Sequence, residues 1–339
     1  MPGKCAMRIC PAVAAFAAVC VLQMGGGGHW AGHARAEDAA ANYPSSPIKI
    51  VVPYPPGSIP DTLGRLIGDR LQTQFGKPVV IENRAGASTL LGAKAVAGAE
   101  PDGYTLLIPT VTTLSIAPQL NSRAGVDPIN DLTPIARLGG TNFFLVVRSS
   151  FPAKSMREWI DEVKANPGKY RYASAGVGTP HHIFMELLKK QFGLDITHIP
   201  YKGSVEAMPD LLSERVDMAF LDGSQAVSPI NSGALRALGT TMAKQTDLVA
   251  GVPPIAATVA GFDWSGWILI AGPRGMPKPV VERIAAQVAE LQATPRYASA
   301  LHNSLMEAMP VLSPDQTAAF VRAEYDRWKP IIRLSGAVE

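Results

Sequence analysis

Cysteine is missing from most of this chain. Cys5, Cys10 and Cys20 all fall within the first 36 of 339 residues. Beyond them disulfides, thiol nucleophiles and cysteine–metal sites are excluded. Net charge is missing as well. The formal +3 is carried by Lys4, Arg8 and Arg35, in a leader without a single acid, and the remainder is neutral. A polyanion binder needs an excess of Lys and Arg, so nucleic acid is excluded as a partner. No long apolar run follows the leader; the longest, such as Trp267-Ile268-Leu269-Ile270-Ala271, are strand-sized and fall far short of the ~20 residues a bilayer needs. Internal repeats and low-complexity stretches are absent after residue 36. Gly76-Lys77 and Gly168-Lys169 are each followed by neither Ser nor Thr, which removes the P-loop. With 47% hydrophobic and 17% charged residues, what remains is globular.

The leader reads as an export signal. Lys4 and Arg8 give a positive start, Ile9 to Met24 is apolar, and Ala34-Arg35-Ala36 is an A-x-A cleavage site, as secretory signals require. A membrane anchor is the alternative, but the apolar stretch is short and four glycines follow it. Lipid attachment at Cys20 is disfavoured by the bulky Val19 before it. The expectation is an exported protein, cleaved near Ala36, whose residue count exceeds one comfortable core and so implies two domains.

Short apolar runs alternate with amphipathic segments. Ile48 to Val52, Val79 to Ile81, Thr105 to Ile108, Phe143 to Val147, Met218 to Leu221 and Ile268 to Ala271 read as buried strands. Between them Leu63, Leu66, Ile67 and Leu71 recur at helical spacing, as do Met156, Trp159, Ile160 and Val163, and later Val281, Ile284, Ala285 and Val288. A last helix carries Val321, Tyr325 and Trp328. Such alternation predicts an α/β fold with largely parallel sheets, helices on both faces, and ligands at the C-terminal ends of strands. Ser155 to Glu158 and Ser313 to Gln316 read as capping boxes.

Two loops stand out. Tyr54-Pro55-Pro56-Gly57-Ser58-Ile59-Pro60-Asp61 follows the first strand and opens the first helix, with Ser58 and Asp61 as a capping box. Gly57 permits a tight turn, and amides left free at a positive helix end attract carboxylate or phosphate. A well-capped helix and nothing more is the alternative. Ala173-Ser174-Ala175-Gly176-Val177-Gly178-Thr179-Pro180-His181-His182 is built alike, with Gly176 and Gly178 exposing amides, Thr179 as cap and Pro180 behind it. It is neither a dinucleotide fingerprint, since His181 stands where a third glycine belongs, nor a nucleophile elbow, since Ser174 lacks the frame. His182 and Glu186 share a helical face at i, i+4, but no third metal ligand is indicated, so no metal is expected. Asp222 ends a strand and either accepts a ligand N–H or O–H or caps the next helix. Tyr201-Lys202-Gly203 either lines a cleft or turns the chain.

From Tyr43 to about Ile332 the chain resembles the Bug-type periplasmic solute-binding proteins, the receptors of tripartite tricarboxylate transporters. The resemblance rests on Tyr43-Pro44, Ile50-Val51-Val52-Pro53, Pro56-Gly57 with Asp61, Glu82-Asn83-Arg84 with Gly86-Ala87, and Pro101-Asp102-Gly103-Tyr104-Thr105-Leu106. It continues through Ala165-Asn166-Pro167-Gly168, Ala173-Ser174-Ala175-Gly176, Gly178-Thr179 with His182, Pro200-Tyr201-Lys202-Gly203 and Leu235-Arg236-Ala237-Leu238. It implies a two-domain periplasmic-binding-protein fold of the Venus-flytrap type II kind, with two interdomain crossings placed near Asn142 and Asp263. Lobe 1 would comprise 43–142 and 264–339, lobe 2 143–263. It further implies a small carboxylate ligand held by loop amides and bridging waters, no cofactor, a monomer, and transient contact with membrane transporter subunits. In this sequence the implied ligand residues are Tyr54, Pro55, Gly57, Ser58, Asp61 and Thr110 from one lobe. From the other come Ser174, Ala175, Gly176, Gly178, Thr179, His182, Tyr201 and Asp222. Ser58 departs from a second glycine usual in the family, Ala87-Ser88-Thr89 replaces a more glycine-rich stretch, and Ile255 to Phe262 lacks an acidic residue common there.

Two other classes compete. A secreted hydrolase acting on carboxylate esters needs a nucleophile with a base, and Ser174 with His181 or His182 is the only pair near in sequence, without an orienting carboxylate. A binding protein that signals without transport has the same sequence as one that delivers.

Overall fold

Ten strands form among the described residues, most of them from apolar runs. They are β1 (Ile48–Val52), β2 (Val79–Asn83), β3 (Thr105–Leu107), β4 (Leu132–Thr141), β5 (Phe143–Arg148), β6 (Tyr170–Ser174), β7 (Ile196–Pro200), β8 (Met218–Asp222), β9 (Leu235–Thr240) and β10 (Gly266–Pro273). The computed structural model describes Met1, Gly3, residues 42–120 and residues 125–334. The expected export signal over 1–36 lies outside the described residues but for Met1 and Gly3. No described helix is long and apolar enough to cross a membrane.

The strands form two five-stranded sheets, ordered β2-β1-β3-β10-β4 and β7-β6-β8-β5-β9. Both are mixed, which corrects the largely parallel sheets expected from the alternation. β2, β1 and β3 run parallel, as do β7, β6 and β8. The strand that enters each sheet from the other, β5 after β4 and β10 after β9, runs antiparallel to both of its neighbours. The chain passes from the first sheet to the second at Asn142, which is wholly buried and accepts the Met242 amide at 3.4 Å. The return segment lies beside it: the Thr241 amide donates to the Phe143 carbonyl at 2.9 Å and the Trp264 amide to the Thr241 carbonyl at 2.8 Å.

The helices are α1 (Ile59–Phe75), α2 (Leu90–Ala97), α3 (Ala117–Leu120), α4 (Met156–Ala165), α5 (Pro180–Phe192), α6 (Ser204–Leu212), α7 (Gly223–Asn231), α8 (Lys278–Gln292), α9 (Pro295–Asn303) and α10 (Pro314–Leu334). A π-helical turn over Thr112–Ile116 precedes α3. Ser58, Ser155 and Ser313 accept the amides of Asp61, Glu158 and Gln316, so the three predicted helix starts are real. Only the last box closes reciprocally on its cap, with the Ser313 amide on Gln316 Oε1 at 2.9 Å.

Period-two alternation divides the second sheet's burial. Phe143, Leu145 and Val147 of β5 face one apolar cluster with Phe184 of α5 and Trp328 of α10. Phe144 and Val146 face another with Ala207 and Leu211 of α6 and Ala226 of α7. The first cluster also takes Val51, Leu107 and Leu269 of the first sheet. Helix α10 therefore packs against elements of both sheets, which fixes where the strand ends carrying the glycine loops lie.

Candidate functional site

The first loop is held from inside. Asp61, 3% exposed, accepts the Gly57 amide at 2.9 Å, Arg65 Nε at 3.0 Å and Asn83 Nδ2 at 2.9 Å. Burial pushes its carboxyl up, but Arg65, the Gly57 amide and Asn83 outweigh that and hold it below the usual range. Both oxygens of Asp61 are engaged by neighbouring groups, Oδ2 by the Gly57 amide and Arg65 and Oδ1 by Asn83. Asn83 also donates to the Tyr54 carbonyl at 3.0 Å. The Ser58 amide turns back to the Pro55 carbonyl at 3.3 Å, and its hydroxyl donates to the same carbonyl at 2.8 Å. Since Pro55, Pro56 and Pro60 carry no N–H, fewer amides remain free here than the sequence promised. The Tyr54 hydroxyl meets Thr110 Oγ1 at 2.7 Å, and burial raises the phenol's pKa. Thr110 also accepts the Thr112 amide at 3.2 Å, at the start of the π turn.

In the second loop the glycine amides are likewise engaged, which corrects the expectation that they are exposed. Gly176 N–H donates to Ser174 Oγ at 3.1 Å and Gly178 N–H to His182 Nδ1 at 3.2 Å. Thr179 does not cap α5 with its side chain; its hydroxyl donates to the Gly176 carbonyl at 2.7 Å. The amides of Ala175 and Val177 make no hydrogen bond to the described residues. Gly176 and Gly178 have φ of 118° and 77°, a region that a residue with a Cβ enters only under strain. Tyr201 closes the loop's far side through its amide to the Ser174 carbonyl at 3.0 Å. Its hydroxyl donates to Asp210 at 2.7 Å, and burial together with that carboxylate pushes the phenol up to about 12.

His198 of β7 was not visible in the sequence, and it is central here. Its ring is sandwiched between Tyr172 at 4.6 Å and His182 at 4.4 Å. Its Nε2 shares a hydrogen bond of 2.6 Å with Ser174 Oγ. That is the spacing of a nucleophile and its base, although with a different histidine from the two weighed above. Yet burial, and then the like charge of His182, lower the His198 pKa to about 4, which makes it a weak base at neutral pH. Ser174 is 2% exposed, and no described carboxylate hydrogen-bonds to His198. His182 is lowered too, chiefly by burial. Glu186 is committed to the Tyr172 hydroxyl and Lys189, each at 2.6 Å, and no group of three metal-ligating side chains occurs among the described residues.

These histidines make stability depend on pH with a definite sign. An unfolded histidine binds its proton near 6.5, whereas folded His198 does so only near 4. Between those values the unfolded state binds more protons, so stability falls as pH drops. The contribution is on the order of 2 kcal/mol once solvent screening of the half-buried ring is allowed for, or roughly 5 °C in Tm. Thermal melts from pH 7 to pH 4.5 should therefore fall less steeply for His198→Asn than for the parent chain. Equal slopes would contradict the assignment.

Asp222 ends β8 and starts α7, but its side chain makes no cap bond. It accepts the Ser224 hydroxyl and lies 3.9 Å from His181 Nε2, beyond hydrogen-bond reach. Burial raises its pKa, and His181 with the Ser224 hydroxyl more than offset this.

A family model described as the tripartite tricarboxylate transporter family receptor matches residues 63–337. The chain is 32% identical to the protein BugT of Bordetella pertussis over 306 residues, covering 88% of this chain and 92% of that one. Among solved structures it resembles Rpa4515 of R. palustris with adipate, at a TM-score of 0.77 and 30% identity over 87% of this chain and 98% of the other. It also resembles MatC of Rhodopseudomonas palustris with bound malate, at 0.72 and 28%, over 86% and 100%. The chain belongs to the tripartite tricarboxylate transporter receptor family, and its two mixed sheets are those of the Bug-type solute-binding fold.

Proposed function

We propose that this chain is a periplasmic receptor that closes two lobes on a small carboxylate and presents it to the membrane subunits of a tripartite transporter. Residues 1–36 serve as the cleaved export signal, 43–142 with 264–339 form one lobe, and 143–263 the other. The observation that carries the reading is the loop Ser174–Thr179. Its glycine amides are tied back to Ser174 and His182, while its Ala175 and Val177 amides lack an acceptor. It follows a strand of one sheet, as the Tyr54–Asp61 loop follows a strand of the other. Neither loop contains Lys or Arg, so a carboxylate is held by amides and hydroxyls. A Kd of ~1 μM corresponds to about −8 kcal/mol, within reach of a few charge-assisted bonds in a closed cleft. Closure carries a signal because the ligand binds the closed state better than the open one. Relatives of this fold hold adipate and malate, which supports a carboxylate as the class.

A thermal-shift screen of mono-, di- and tricarboxylates tests this. A ligand at about 100 times its Kd should stabilise the chain by about 2.7 kcal/mol, read as a Tm rise of roughly 5 °C. Its affinity should change less than about threefold between low and moderate salt, because no exposed cation holds it. Failure of every carboxylate to shift Tm would overturn the proposal. A tenfold loss with salt would move the anion to a side chain such as Lys202 or Arg84.

A further inference from the structure

The fold leaves His181 unusually placed. It is the second residue of α5, two positions after Thr179, and its ring stands edge-on to Phe143 at 5.2 Å. Phe143 opens β5 and pairs across to Asp222. β8 runs parallel to β6, so Asp222 and Ser174 end neighbouring parallel strands at one edge of the sheet. The next residue, Gly223, is pressed against the segment after α9: a Cβ there would fall 2.8 Å from the Leu305 carbonyl oxygen. This end of the strand row is walled.

Two costs meet at that wall. His181 is 8% exposed and neither ring nitrogen has a hydrogen-bond partner. Beside it the half-buried Asp222 carboxylate has the Ser224 hydroxyl and, at 3.9 Å, the imidazole. Among the described residues no lysine or arginine pairs with it. A half-buried carboxylate with no lysine or arginine beside it and a buried imidazole that makes no hydrogen bond are each costly. One group relieves both. An ammonium has three donors and a positive charge, enough to bond Asp222 and a ring nitrogen of His181 together. A second carboxylate placed there would meet Asp222 as a like charge.

We infer that His181 and Asp222 form the far end of the ligand site and select a carboxylate whose other end carries a hydrogen-bond-donating group, an ammonium above all. This rests on the carboxylate-receptor reading: the glycine loops take the carboxylate, and the His181–Asp222 pair takes the donor.

Calorimetry on the full mature chain tests it with three matched pairs: 4-aminobutanoate against succinate, 5-aminopentanoate against glutarate, and 6-aminohexanoate against adipate. In at least one pair the amino acid should bind roughly tenfold or more tighter than the diacid, as a charge-assisted contact at a half-buried carboxylate provides. Asp222→Asn keeps the Ser224 contact and removes the charge. It should erase that preference, lowering the amino acid's affinity roughly tenfold toward that of the matching monoacid, butanoate, pentanoate or hexanoate, for the parent chain. The parent chain alone decides the matter should the variant misfold. Diacids bound as tightly as or tighter than the amino acids would overturn the inference and leave the carboxylate receptor standing. No binding by any of the six or by the monoacids would overturn both.

Discussion

Gly178→Val should leave the fold intact and weaken carboxylate binding by roughly 10- to 100-fold. Gly178 has φ of 77°, and a β-branched residue held there costs on the order of 1–3 kcal/mol. A Cβ at this position would also fall 2.2 Å from Leu120 Cδ1. Leu120 is a flexible side chain that can step aside, so the backbone term dominates. The loop relieves that strain by rotating the peptides on either side of residue 178. Rotation breaks the 3.2 Å bond from the Gly178 amide to His182 Nδ1 and the 3.3 Å bond from the Thr179 amide to the Gly176 carbonyl, and so shifts the loop that carries the Val177 amide. Binding is lost through geometry rather than through any side chain removed. Gly57 offers the contrast. Its φ is 80°, but nothing lies within 4 Å of a Cβ there, and its amide bonds Asp61 rather than facing a ligand. Titration of the strongest carboxylate from the thermal screen into both variants, with circular dichroism to check the fold, measures the difference. A Gly178→Val chain that binds like the parent would place the anion elsewhere.

That Gly176 and Gly178 shape the second loop was legible in the sequence. What their amides do was not. The acceptors are Ser174, two residues before Gly176, and His182, four after Gly178, and a pattern of residue types does not fix which way a short loop folds on itself. Asp61 shows the same limit. Its place at a helix start read as half of a capping box with Ser58, but its partner Asn83, which lies 22 residues away on β2, was not legible there. His198 stayed hidden for a different reason. β7 reads Ile196-Thr197-His198-Ile199-Pro200, a half-polar strand at the sheet's edge, without the apolar density that revealed β1, β5 and β8. β4 carries Pro134, Gly139 and Gly140, which interrupt its apolar run, and it pairs with β10 through two register shifts. The mixed sheets follow from the two crossings. Once the chain leaves a sheet and returns, the direction of the returning strand is set by tertiary packing, which local periodicity does not encode.

Glu324 is where the largest loss of stability should follow from one substitution. It sits on α10, 7% exposed, and its Oε2 accepts the indole N–H of Trp267 at 2.9 Å and of Trp328 at 3.2 Å. Oε1 accepts Arg327 at 3.2 Å. Both indoles are fully buried. Trp267 belongs to β10 of the first sheet and stands edge-on to Phe320 at 5.4 Å. Trp328 lies 5.7 Å from Phe184 of α5, which follows the glycine loop of the second sheet. One carboxylate therefore ties the last helix to both sheets. Exchanging a whole buried polar network for apolar residues is often neutral, but Glu324→Leu removes only the acceptor. Two indole N–H groups stay buried without a partner, at about 1–3 kcal/mol each, against a modest gain from the added apolar surface. The net is about 3 kcal/mol, or roughly 8 °C in Tm. Glu324→Gln keeps one oxygen for one indole and should cost about half as much. Thermal unfolding followed by tryptophan fluorescence, which reads Trp267 and Trp328 among the chain's five tryptophans, orders the three chains. A Leu variant as stable as the parent would show that the indoles find other acceptors and that the carboxylate holds nothing together.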